Sequence, residues 1–180
     1  MNYIITSEDT HAEEAIHKEA EWINRLGAEK GHEVASLISR DGNRVLGTWE
    51  GSEHRTNIPG AEYLDATKGV PSGSIDFIHC HLSGALFGDQ DMITMCEVEQ
   101  IGRMMVSLPN DDVFYLTVGI GRCIDPDTIT YTFDYHYFRY EREEKTKPGV
   151  DELLPEQQAD VIIKVVDKMA DLFGWKWGKA

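Results

Sequence analysis

The sequence predicts an α/β fold, a three-layer sandwich with a mixed central sheet between flanking helices. Three observations carry that expectation. Apolar residues recur at helical spacing near the start of the chain and again near its end, and short runs rich in β-branched and aromatic residues lie between them. No repeat, low-complexity tract or long linker divides the 180 residues, so one domain over 1–180 is expected.

Residues 2–6 suit a short edge strand or a tail. Thr10-x-x-Glu13 has the form of a capping box. Ala12, Ala15, Ile16, Ala20, Ile23 and Leu26 then mark a first helix over 8–26, with Gly27 placed to end it. Glu33 to Ser39 and Arg44 to Trp49 flank Asp41-Gly42-Asn43, a hairpin signal. Residues 50–74 read as a long loop with a helical turn near 61–67. Ser74 to His81 is a third strand that puts Ile75, Phe77, His79 and His81 on one face and Asp76, Ile78 and Cys80 on the other. From Asp91 to Leu108, Met92, Met95, Val98, Ile101 and Met105 suggest a buried helix. Val113 to Val118 is a core strand. Thr128 to Tyr140 alternates aromatic and polar residues, the pattern of a long half-buried strand. A last helix begins near Pro155 and ends at Phe173 before Gly174.

Composition narrows the function. Thirty-two acidic against 17 basic residues leave a formal net charge of −15, which repels phosphate backbones and anionic lipid surfaces. Nucleic acid and membrane are therefore not expected partners. Cys80, Cys96 and Cys123 form no C-x-x-C pair, so a disulfide framework and a cysteine-rich zinc finger are not expected. Reduced thiols fit a cytoplasmic setting. No basic n-region opens the chain, and Lys164 interrupts the late apolar run, so neither a signal peptide nor a transmembrane span is expected. Gly119-Ile120-Gly121 lacks the rest of a dinucleotide fingerprint and reads as a turn. The zinc-deaminase pattern of H-x-E with P-C-x-x-C is missing as well.

The sharpest local pattern is His79-Cys80-His81 followed by Asp91. Histidines at i and i+2 on a strand share a face, so both rings reach one ion. The intervening LSGALFGDQ holds two glycines and can turn the chain back, bringing a carboxylate at the head of the next helix to the same point. Two imidazoles, one carboxylate and an open position make a zinc-hydrolase ligand set, and the same set serves iron(II). By itself, H-x-H also suits polar positions on a partly exposed strand.

The segment from Phe77 to Asp91, FIHCHLSGALFGDQD, resembles the signature of the JAMM (JAB/MPN) metalloproteases. That signature is H-x-H, six residues, a serine, two residues and an aspartate, running from a buried strand into a helix. The resemblance places His79, His81 and Asp91 at the metal-ligand positions. Glu33, opening the first strand after the first helix, takes the place of the family's catalytic glutamate, with Glu29 and Glu50 as alternatives. It implies a fold similar to that of the cytidine deaminases and a zinc ion whose bound water is drawn toward a neutral pKa. It also implies Glu33 as the proton shuttle, and as substrate a peptide or the tail of a ubiquitin-like or sulfur-carrier-like protein. Two positions depart from the signature. Gly88 stands where the family has its oxyanion-binding serine, and Leu82 where a proline is common. Ser83, or the backbone N–H of Gly88 or Asp89, would have to supply the lost donor. The alternative implied by Gly88 is a binding or scaffold module with weak or no turnover.

Overall fold

The computed structural model describes residues 7–53, 55–56, 58–119 and 124–180, with only the backbone of 7–10. The expectations for residues 2–6, for the capping side chain of Thr10, for Cys123 and for most of the 119–121 turn lie outside these residues. Among the described residues, five helices accompany one six-stranded mixed sheet. The elements are α1 (Ser7–Lys30), β1 (Val34–Ser39), β2 (Val45–Glu50), α2 (Gly60–Ala66), β3 (Ile75–Cys80) and α3 (Asp89–Glu97). β4 (Ile101–Ser107), β5 (Val113–Thr117), α4 (Pro126–Lys145), α5 (Pro155–Phe173) and β6 (Lys176–Lys179) follow.

The sheet order is β2-β1-β3-β4-β5-β6. Only β3 and β4 run parallel, joined through α3; every other neighbouring pair is antiparallel. β3 is buried at all six positions, as expected of a central strand covered on both faces. One face carries Val34, Ile38, Ile78, Cys80 and Met105, which pack under Ile16, Ala20 and Ile23 of α1. The opposite face carries Ala35, Leu37, Phe77, Met104 and Val106, and joins Met92 of α3, Ile129 of α4 and Val165 of α5 in the larger core. Helix, sheet and helices thus form three layers, in agreement with the class read from the sequence. No helix among the described residues is long and apolar enough to cross a membrane.

α1 is longer than its periodicity predicts. Gly27 lies inside it, and Gly31, at φ +70°, takes the left-handed position after its end. Gly27 serves a close approach instead: a Cβ there would stand 2.8 Å from Cys80 Sγ and 3.0 Å from the His32 carbonyl oxygen. Residues 91–108 are not one helix. α3 ends at Glu97, and Ile101 to Ser107 form β4, paired parallel with β3 with one register shift between Ile75 and Asp76. The run at 128–140 is not a strand but the middle of α4. Asp125 caps that helix by accepting from the Thr128 N–H at 3.0 Å, and Pro126 starts it. Its inward residues Ile129, Phe133 and Tyr137 satisfy helical spacing as well as alternation, and Tyr140 fits the helical spacing alone. The short strand β6 has no counterpart in the sequence reading.

Candidate metal centre

β3 delivers the two histidines. His79 is its penultimate residue, and His81 lies just past its end. Residues 79 and 81 share a face by the two-residue period of extended chain. Ala35 on β1 lies opposite His79, so the neighbouring strand puts only a methyl group at that register position. The chain then loops to α3, where Asp91 is the third residue of the first turn. Its Oδ2 accepts the Gly88 N–H at 2.8 Å, closing the start of the helix. That cap fixes the carboxylate rotamer and aims it back at the strand.

The three side chains converge. His79 Nε2 lies 2.9 Å from His81 Nε2 and 3.2 Å from Asp91 Oδ1, and His81 Nε2 lies 3.9 Å from Asp91 Oδ2. Ligands at about 2.0–2.2 Å from a tetrahedral zinc stand about 3.3–3.6 Å from one another. The observed separations bracket that value. His81 Nδ1 faces the Ala85 carbonyl at 2.8 Å. Donating there puts the proton of the neutral ring on Nδ1 and leaves the Nε2 lone pair directed inward. His79 is 1% exposed, and its Nδ1 has no hydrogen bond of good geometry, with only a weak pull from the Met105 main chain. Three lone-pair donors aimed at one point repel unless a proton or a cation sits between them, so His79, His81 and Asp91 can hold a metal ion.

The charges are strongly coupled. Burial lowers the pKa of His79, but the adjacent Asp91 carboxylate outweighs it with help from Glu33, and the ring ends above its ordinary value. Burial lowers His81 as well, and the charge of His79 adds to that, so His81 ends below. Burial would raise Asp91, yet the two imidazoles and the Gly88 N–H hold it at about 2. The coupling therefore favours a charge on His79 beside the Asp91 carboxylate and disfavours one on His81.

The centre opens into a cleft of about 1010 Å³. Glu33, 7% exposed, lines it together with His79, His81 and Asp91. The β1–β3 register, extended two residues from the Ala35–His79 pair, sets Glu33 beside His81 on the same face. The remaining walls are largely apolar, including Tyr63, Phe77, Phe87 and Phe133. Ser83 is exposed at the cleft edge, and its Oγ faces the Ala85 N–H at 3.4 Å. Gly88 lines the cleft too, but its N–H is taken by Asp91. It is therefore not the free oxyanion donor that the sequence reading held open. Glu50 is engaged outside the cleft by Lys30 and His32, and Glu29 is exposed on α1, away from its lining.

Two contributors escape sequence reasoning. The Ala85 carbonyl orients His81 but is backbone, and leaves no mark in residue type. Arg55 places a cation in the cleft wall from within a loop, where no periodicity points to it.

Compared with protein-family models, curated proteins and solved structures, the chain finds no match in any of the three.

Proposed function

We propose that this chain is a zinc-dependent metallopeptidase or isopeptidase of the JAMM kind, with a fold of that type. One observation carries the reading: two imidazoles and a carboxylate converge at the floor of a cleft whose wall also holds a buried glutamate. Zinc held there would polarise a water molecule and the scissile carbonyl.

The chain's own residues supply the rest. His81, pinned through Nδ1 to Ala85, keeps its inward lone pair fixed. Asp91, pinned by the helix cap, keeps its charge at neutral pH. Glu33 takes a proton from the attacking water and returns it to the departing amine nitrogen as the C–N bond breaks. The apolar walls exclude water from an extended peptide, and the proposed substrate is such a segment, free or as the tail of a ubiquitin-like or sulfur-carrier-like protein. A second reading is favoured by Gly88, which supplies neither a side-chain hydroxyl nor a free N–H. It is a binding module with slow or no turnover.

The test combines metal analysis of protein purified without added metal with cleavage of quenched peptides and of tail fusions. About one zinc per chain is expected, with turnover that falls by about 10²–10⁴ in Glu33→Gln while metal occupancy is kept. Zinc without turnover would select the binding module. Turnover unchanged in Glu33→Gln would refute the mechanism.

A further inference from the structure

We propose that the outer face of α4 is a self-association surface, on which the same helix of a second copy docks antiparallel. Tyr131, Tyr135 and Phe138 are 73%, 55% and 58% exposed, and Tyr131 stacks on Tyr135 with ring centroids 6.5 Å apart. Three large aromatic rings in one exposed row are an unusual feature of a chain carrying −15. At about 100° per residue they fall along one line of the helix together with Asp127 and Arg142.

The order of this row names its occupant. Asp127 and Arg142 lie equally far from a point between residues 134 and 135, and so do Tyr131 and Phe138. A twofold axis through that point sets Asp127 against Arg142 of the second copy and Tyr131 against its Phe138, each contact occurring twice. Tyr135 meets its own image at the axis, and Asp134 stays at the solvent rim. A helix face that pairs with its own reverse in both charge and ring is matched to itself.

The ion pairs within the chain agree. Arg139 pairs with Glu143 and Lys145 with Glu141, each four residues apart on α4. Asp127 and Arg142, two charges on the aromatic row, have no ion-pair partner among the described residues, whereas Lys145, on the same line, is already paired. The inner face of the same helix lies against the core through Ile129 and His136, so docking on the outer face leaves the cleft clear.

The contact is small. A 20-residue helix is about 30 Å long and about 10 Å wide, so the pair buries about 600 Å² in total, well under a standard interface. Association in the micromolar range is expected, in exchange with monomer.

Sedimentation velocity of the full chain from about 5 to 500 µM tests this. A concentration-dependent monomer–dimer equilibrium is expected. Asp127→Lys and Arg142→Glu should each weaken it about tenfold, because each change breaks two symmetry-related pairs. The double variant should return to within about threefold of the original, because the swapped charges pair again. Tyr131→Ser with Phe138→Ser should leave monomer alone. All four positions are exposed, and unchanged far-UV circular dichroism is the check that α4 persists. A monomer throughout the range would overturn the proposal and assign the face to a different protein. So would a double charge swap as weak as the two single changes combined, because the pairing would then not be antiparallel.

Discussion

Asp91→Asn in metal-free protein isolates the charge at the centre. The amide oxygen still accepts the Gly88 N–H and preserves the helix cap, but the attraction to His79 is lost. Asp91 is held at about 2 against an ordinary 3.8, and each unit is worth about 1.4 kcal/mol. Its carboxylate is 18% exposed, so about 2 kcal/mol is the reasonable figure. In a chain of this size that is about 4–8 °C in Tm. The sign depends on both partners. A depressed acid stabilises the fold above its unfolded pKa and loses that stability as pH falls toward 2. A raised histidine stabilises below its unfolded value of 6.5 and loses that stability as pH rises through its folded one. These are two views of one interaction, present in full between about pH 4 and 6.5. Thermal denaturation in EDTA should therefore show the whole loss at pH 5.5, shrinking as pH rises through the folded pKa of His79. No loss at pH 5.5 would refute the ion pair.

Zinc must displace the His79 proton, so the rise in Tm on adding zinc should be larger at pH 8 than at pH 6; a pH-independent rise would count against His79 as a ligand. Chelation should lower Tm without abolishing near-UV circular dichroism, because the larger core is assembled independently of the three ligands; complete loss of that signal would mark a structural metal. Gly88→Ser should leave stability within about 0.5 kcal/mol, since φ −89° and ψ 176° suit a serine cap and its Cβ would meet only Asp91 Oδ2, at 3.9 Å. If the missing hydroxyl limits turnover, the rate with a cleaved peptide should rise by about tenfold or more, and an unchanged rate would refute that account of Gly88.

Elements whose burial follows a single period were legible in the sequence. α5 runs from Pro155 to Phe173 as its cap residues indicate, and its deepest residues are Val161, Val165, Val166 and Met169. The hairpin and β3 also lie where alternation and Asp41-Gly42 placed them. α4 was misread because β-branched and aromatic residues favour strands by propensity, and a tract with aromatics at nearly every second position satisfies both periods. The deciding information was local, in Asp125-Pro126, a cap followed by a first-turn proline. The opposite error merged α3 and β4, because Met and Ile continue across the break at 98–100 without a glycine or proline to mark it. β6 could not be read at all: Lys176 to Lys179 has no strand pattern and pairs because β5 offers a free edge.

The cluster of His79, His81 and Asp91 was legible for a reason that outlasts those errors. Its geometry depends on two features only, the two-residue period at the end of β3 and the first turn of α3. Neither shifts when the far end of α3 is placed wrongly. Asp91 sits at the third helical position, where a carboxylate that reaches back to the preceding N–H is favoured whether or not a metal is near. Capping and metal binding would thus ask for the same rotamer, and the helix start orients Asp91 toward the imidazoles. That economy has a consequence at Gly88. Its N–H serves the cap and cannot also stabilise an oxyanion, so the donor must come from a side chain at 88, from Ser83 or from the backbone beyond. On the proposed peptidase reading, a hydroxyl at 88 is one such donor, and the backbone there, at φ −89° and ψ 176°, would accept it.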